Sequence, residues 1–184
     1  MFKVLQLGHP VLRAKAEPIS SLDEALNDLA HDMVLTMRSQ DGCGLAGNQI
    51  GVARRIVVVD VSGVKGRPSV LRFGGKSRPV RKHMPLILLN PELEALGETL
   101  EIGGEGCLSI PGIYGEVERP AGIRVRALDL EGNPLEFEAE GFLARALQHE
   151  VDHLNGVLFI DLLDQADRQR VAEEWQEISA ESVG

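Results

Sequence analysis

The period of the apolar residues changes several times along this chain, and each change marks an element. Leu22, Leu26, Leu29 and Met33 recur at helical spacing behind Ser21-Leu22-Asp23-Glu24, which has the pattern of a capping box. That helix is predicted to fade before Asp41-Gly42. Gly42-Cys43-Gly44-Leu45-Ala46-Gly47-Asn48-Gln49 then reads as a loop of small residues ending in a polar amide. Ile56-Val57-Val58-Val59 is a β-branched run and predicts a buried strand. From Ser62 to His83, glycine and proline are scattered among basic residues, which predicts irregular chain. Leu86 to Leu89 resumes strand before Asn90-Pro91. Ile123 to Leu130 alternates apolar with polar positions, turns at Glu131-Gly132-Asn133-Pro134 and returns through Leu135 to Glu138, a hairpin. Phe142 to Leu154 is an apolar helix stopped by Asn155-Gly156. A last amphipathic helix is expected from about Ala166 to Ile178. This order predicts an α+β fold, with antiparallel sheets packed around the helix 142–154. No repeat or linker interrupts it, so residues 1–184 are expected to form one domain.

Composition narrows the class. A chain of 184 residues with 43% hydrophobic and 26% charged side chains is that of a globular protein with a sizeable core. Only 4% are aromatic, so that core rests on Leu, Val, Ile and Ala. The net charge of −9 argues against a surface that coats DNA or an anionic membrane. No run reaches transmembrane length, and Met1-Phe2-Lys3-Val4-Leu5-Gln6 lacks the apolar core of a secretory signal, so a cytoplasmic protein without a membrane partner is expected. Cys43 and Cys107 are expected to be free or liganding rather than joined in a disulfide.

The chemistry concentrates in His149-Glu150-Val151-Asp152-His153. Residues four apart share a helix face, so His149 and His153 can hold one divalent ion. Glu150 then lies beside it, placed to take a proton from water. Asp152 falls on another face and is given no catalytic role. A catalytic ion usually has three protein ligands. A third His six residues on is excluded, since position 159 is Phe; Glu173 and Glu174 sit at the distance of another metallopeptidase pattern, but on a polar helix. Cys107, in Gly104-Glu105-Gly106-Cys107-Leu108-Ser109, is the better candidate, because a thiolate suits zinc or ferrous iron. An isolated cysteine is otherwise simply a small buried side chain.

Taken together, the segments at 42–49, 105–109 and 149–153 resemble, in order and approximate spacing, the three signature segments of peptide deformylases. Leu5 to Leu12, Arg119-Pro120 and Gly156-Val157-Leu158-Phe159 extend the resemblance over residues 3–163. It implies an enzyme that removes the formyl group from the N-terminal methionine of new bacterial or organellar polypeptides, releasing formate. It also implies one metal ion, ordinarily Fe2+ with Zn2+, Ni2+ or Co2+ as alternatives, held by Cys107, His149 and His153. Glu150 becomes the general base, and the Gln49 amide with the Leu108 backbone N–H the donors to the oxyanion. Gly42, Cys43, Gly44 and Gly106 would border the substrate, an N-formyl-methionyl nascent chain.

The chain also departs from the family pattern. Gly47 stands where an Ala is usual and Cys43 where an aliphatic residue is usual, both keeping the loop small. Arg145 precedes His149 by one helical turn, where the family places an apolar lining of the methionine pocket; it is expected either at the pocket rim or with its guanidinium in solvent. Lys65 to Lys82 carries seven of the nineteen Lys and Arg residues, in a stretch longer than the usual connection, so 62–84 reads as a basic insertion. Asp161 to Gly184 has seven acidic residues against two arginines, giving an acidic helix at about 165–180. The insertion is a candidate for transient contact with ribosomal RNA phosphates, the alternative being a solvated mobile hairpin. Two other classes compete with the deformylase: a metallopeptidase using a downstream Glu, and a catalytically silent deformylase-like binding protein. Nothing visible in the chain disables catalysis.

Overall fold

The computed structural model describes residues 1–181, with side chains to 178. Every pairing between its strands is antiparallel, as expected. The first helix, α1 (Glu24–Ser39), buries Leu26, Ala30, Met33, Val34 and Met37 along one stripe. Its cap is Asp23 and not Ser21: the Asp23 carboxylate accepts from the Leu26 N–H at 2.9 Å. The helix therefore starts later than the capping-box pattern suggested, and Leu22 stays 46% exposed.

β1 (Gly44–Ala46) lies where a loop was expected, and pairs with β2 (Ile56–Val59). β2 is buried at all four positions. Val57 and Val59 pack with one apolar cluster, Ile56 and Val58 with another that includes α1. A strand covered on both faces has no polar positions to show, which is why it reads as an unbroken β-branched run. β5 (Leu86–Ala95) does not stop at Asn90-Pro91 but runs through it over a bulge between Leu89 and Glu92. There Asn90 takes a φ of 51°, and its side chain bonds both the N–H and the C=O of Ile19 at 2.8 Å, acting as a strand partner.

The stretch 62–83, expected to be irregular, contains β3 (Ser69–Phe73) and β4 (Lys76–Ser77). β3 pairs with β9 (Pro134–Gly141), which forms the expected hairpin with β8 (Gly122–Leu128). The seven-stranded sheet runs β1-β2-β5-β8-β9-β3-β4. A second, two-stranded sheet joins β6 (Leu100–Cys107) to β7 (Ile110–Pro120). Between the sheets lies α2 (Phe142–Leu154), whose bounds match the sequence expectation; Leu143, Ala144 and Leu147 pack on the large sheet. The last helix, α3 (Gln165–Glu181), lays Val171, Trp175 and Ile178 against the apolar face of β7.

Candidate metal centre and active site

Two elements meet at the site. α2 presents His149, Glu150 and His153 on one side, and β6 ends on Cys107 opposite them. The Cys107 Sγ and the ring nitrogens of His149 and His153 lie within 4.8 Å of one another, and Sγ is 3.3 Å from Nε2 of His153. Among the described residues this is the group of His, Cys, Asp and Glu side chains gathered closely enough to hold an ion. The donor set fits one: two imidazoles and a thiolate are ligands for zinc or ferrous iron. Glu173 and Glu174 are elsewhere, on α3, bonded to Gln169 and Arg170, so the downstream-Glu arrangement is not formed. Cys43 and Cys107 are both free, as expected. Burial, with the negative charges of Glu150 and Asp60, raises the Cys43 thiol above its ordinary pKa.

Glu105 organises the site, and its sequence context gave no sign of it. The carboxylate is buried and accepts from Nε and Nη2 of Arg119 at 2.6 and 2.9 Å, from Nη1 of Arg145 at 2.9 Å and pairs with Nδ1 of His149 at 2.9 Å. Burial alone would raise its pKa, but the Arg119 and His149 bonds win and hold it down at about 2. An ionised carboxylate on Nδ1 fixes the His149 ring so that Nε2 faces the Cys107 sulfur's side of the site. Burial opposes a charge on His149, yet its bonds to Cys107 and Glu105 raise its pKa well above the usual value. His153 has no such support, and burial together with the His149 charge pushes its pKa well down; its buried Nδ1 has no partner among the described residues. Asp152 faces away from the ligands, as expected, and accepts from Nη1 of Arg119 at 2.8 Å.

Glu150 is buried with its Oε2 unpartnered among the described residues, and burial pushes it up to about 7. Its carboxylate lies along the backbone of Gly44, in space that any Cβ there would occupy. Gly44 is thus what lets the strand β1 pass beside the acid. Gln49 sits in the single 3-10 turn that follows β1 (Gly47–Ile50). Its Oε1 accepts from the Ala46 N–H at 2.8 Å, leaving Nε2 to point at the Ser109 hydroxyl and the Cys107 sulfur at 3.3 and 3.5 Å. Ser109, also missed in the sequence, is fully buried and donates its own N–H toward the same sulfur at 3.4 Å. Leu108 shares the turn between β6 and β7 with it.

These side chains open on a cleft of about 570 Å³. Gly42, Cys43, Gly44, Gln49, Gly106, Leu108, Arg145 and Glu150 all line it, so the structure brings every substrate-side candidate to one wall or another. Arg145 is the correction. It is neither in solvent nor an open rim charge but 7% exposed, with Nη1 donating to Val117 and Gly103 carbonyls at 2.7 and 3.2 Å and Nη2 to the Glu101 carbonyl at 2.7 Å. Its guanidinium lies against Gly103, where a side chain would otherwise sit, and donates to carbonyls of both β6 and β7.

Comparison with known proteins agrees with this geometry. A model of the polypeptide deformylase family matches residues 1–169. The peptide deformylase of Methylacidiphilum infernorum is 45% identical over 178 residues, covering 97% of this chain and 93% of that protein. The peptide deformylase of Pseudomonas aeruginosa is 42% identical over 171 residues, covering 93% and 92%. Among solved structures, a peptide deformylase from Legionella pneumophila superposes with a TM-score of 0.83 at 36% identity, covering 100% of this chain and 98% of its own. One from Synechococcus elongatus, crystallised with actinonin, gives 0.81 at 36% identity, covering 95% and 86%. With half the chain far exceeded by the family match and relatives above 40% identity along nearly its full length, the chain belongs to the peptide deformylase family.

Proposed function

We infer that the cluster of Cys107, His149 and His153 beneath the buried Glu150 is the catalytic centre of a deformylase, and that cluster is the observation that carries the reading. The chain is a peptide deformylase: a hydrolase that removes the N-formyl group from the N-terminal methionine of newly made polypeptides. The three ligands would hold one divalent ion, with Fe2+ the first choice and Zn2+, Ni2+ or Co2+ chemically acceptable to the same donors. Such an ion, when bound, lowers the pKa of water and polarises a carbonyl oxygen. Glu150 takes the proton of the attacking water and delivers it to the departing amine nitrogen. A carboxyl buried beside the ligands, on the wall of the cleft, is placed for both halves of that transfer. As charge develops on the formyl oxygen, the Gln49 Nε2 and the Leu108 N–H donate to it, each worth roughly 3 kcal/mol at the transition state. Gly42, Cys43, Gly44 and Gly106 border the cleft, and with it the path of the peptide backbone.

The same reading places residues 1–184 in one catalytic domain working in the cytoplasm; no helix of the described residues is long and apolar enough to cross a membrane. It also includes a transient ribosome contact through the basic segment 62–84, in which Arg78, Arg81 and Lys82 are exposed, supported by their charge. The deciding experiment is formate release from a formyl-methionyl tripeptide by protein loaded anaerobically with Fe2+, Ni2+ or Co2+. Turnover with at least one metal is expected. No formate with any of them would overturn the reading, and Cys107→Ala protein that kept its full metal content would return the site to a peptidase-like ligand set.

A further inference from the structure

Two guanidinium groups line the cleft, and one is fully engaged: Arg145, by Glu105 and three backbone carbonyls. The other, Arg67, is different. It comes from the basic segment between β2 and β3, lines the cleft, and is exposed. Its guanidinium carbon stands 4.0 Å above the Phe142 ring, and Nη2 donates to the Gly104 carbonyl at 3.1 Å. Neither contact neutralises it, and among the described residues it makes no ion pair with a carboxylate. Arg67 is not on a loose hairpin. The next two residues are bonded to the start of α2: the Pro68 carbonyl accepts from the Phe142 N–H at 2.9 Å, and the Ser69 hydroxyl from the Leu143 N–H at 3.1 Å. β3 begins at Ser69 and pairs onward with β9. An uncompensated positive charge is therefore held at a fixed place on the substrate wall.

We propose that Arg67 is a specificity-determining residue, favouring formyl-methionyl peptides that carry an Asp or Glu side chain at one of the two positions after methionine. The distances agree. Phe142 precedes His149 by seven residues, about 10 Å along a helix rising 1.5 Å per residue. An extended peptide advances about 3.4 Å per residue, so the second and third residues of a substrate whose formyl group lies at the metal ligands fall about 7–10 Å away, a span comparable with the one from His149 to Phe142, in the same cleft that Arg67 lines. The chain as a whole carries a net charge of −9, so its overall field disfavours an acidic peptide. A preference for one has to come from a local charge, and Arg67 is the cation in the cleft left to supply it. The inference rests on the deformylase reading and moves to Arg67 the substrate-side role that the sequence suggested for Arg145.

The test compares formyl-Met-Glu-Ser, formyl-Met-Ala-Glu, formyl-Met-Ala-Ser and formyl-Met-Lys-Ser as substrates of wild type, Arg67→Gln, Arg67→Lys and Arg67→Glu enzymes at low ionic strength. Wild type should favour one of the acidic peptides over formyl-Met-Ala-Ser by about three- to tenfold in kcat/KM, through KM, as a half-sheltered charge pair allows. Arg67→Gln should abolish that ratio, Arg67→Lys should keep part of it, and Arg67→Glu should shift it toward the lysyl peptide. High salt should weaken the wild-type ratio. No acidic preference in wild type, or one that survives Arg67→Gln, overturns the inference while leaving the deformylase activity standing. Should no peptide be deformylated, the deformylase reading fails separately; calorimetric binding of Met-Glu-Ser and Met-Ala-Glu against Met-Ala-Ser, by the same four proteins, still decides on Arg67 by the same ratio.

Discussion

Glu150 and Gly44 form a pair: an acid buried without a hydrogen-bond partner for Oε2, and a residue with no side chain to obstruct it. Glu150→Gln keeps the volume and the three ligands but removes the proton carrier. Turnover should fall by roughly 100- to 10,000-fold while bound metal, counted by elemental analysis, stays near one per chain; a variant with near wild-type kcat would exclude Glu150 as the base. Gly47 makes a different point. Its departure from the usual Ala keeps the loop small, and a Cβ there would stand 2.5 Å from the Val52 carbonyl oxygen and 2.7 Å from that of Arg54. Neither is the movable end of a side chain. Restoring the family's alanine, Gly47→Ala, should therefore destabilise this chain by roughly 1–3 kcal/mol, read as a lowered Tm. A Tm equal to or above that of wild type would show that the loop relaxes without cost. The metal ligands were legible at this scale because their chemistry is carried by residue type and spacing. Glu105, Ser109 and the true role of Arg145 were not, since each acts through partners that lie 14 to 60 positions away in sequence.

Among the elements, those with one pattern from end to end were legible: α2 to its exact bounds, the β8–β9 hairpin and β2. β6 and β7 were not foreseen. Gly103, Gly104 and Gly106 interrupt the alternation on β6, and the carbonyls of the hairpin are bonded by a side chain from α2. β3 and β4 were hidden in the same way, by glycine, proline and basic residues around the five strand positions of β3 and the two of β4. The carbonyls of the β6–β7 hairpin supply the test of Arg145. In solvent, as one sequence reading had it, Arg145→Leu would be nearly neutral. In its observed place the substitution strands the carbonyls of Glu101, Gly103 and Val117 and removes one of the cations on Glu105. A loss of roughly 3–5 kcal/mol is expected in urea unfolding, with kcat/KM falling alongside it because β6 also carries Cys107. A change below about 1 kcal/mol would mean that the hairpin is not held by this residue.

For the molecule as a whole, two carboxylates in one site pull stability in opposite directions with pH. Glu105 is held at about 2 in the folded chain against an ordinary 4.5, so it contributes stability that is complete above pH 4.5 and is lost as the pH falls toward 2. Glu150 is raised to about 7 from the same 4.5, so between those values the unfolded chain gives up a proton that the folded chain keeps; folding is progressively weakened from pH 4.5 to 7. Each shift corresponds to roughly 3 kcal/mol when fully developed. In chelated protein, therefore, Glu105→Gln should cost most near neutral pH and progressively less below pH 4.5, while Glu150→Gln should stabilise the fold at pH 7 to 8 and make little difference at pH 4.5. A divalent ion reverses the second effect, since it favours the ionised Glu150 and binds only where β6 and α2 are assembled, adding stability by mass action. Metal should raise the Tm of wild type more at pH 7 than at pH 5, where protonated imidazoles and thiol oppose it. The measurement is the Tm of wild type and both variants from pH 3 to 8, with and without metal. Parallel wild-type and Glu150→Gln curves in the chelated state would show that Glu150 does not carry a raised pKa in the metal-free fold.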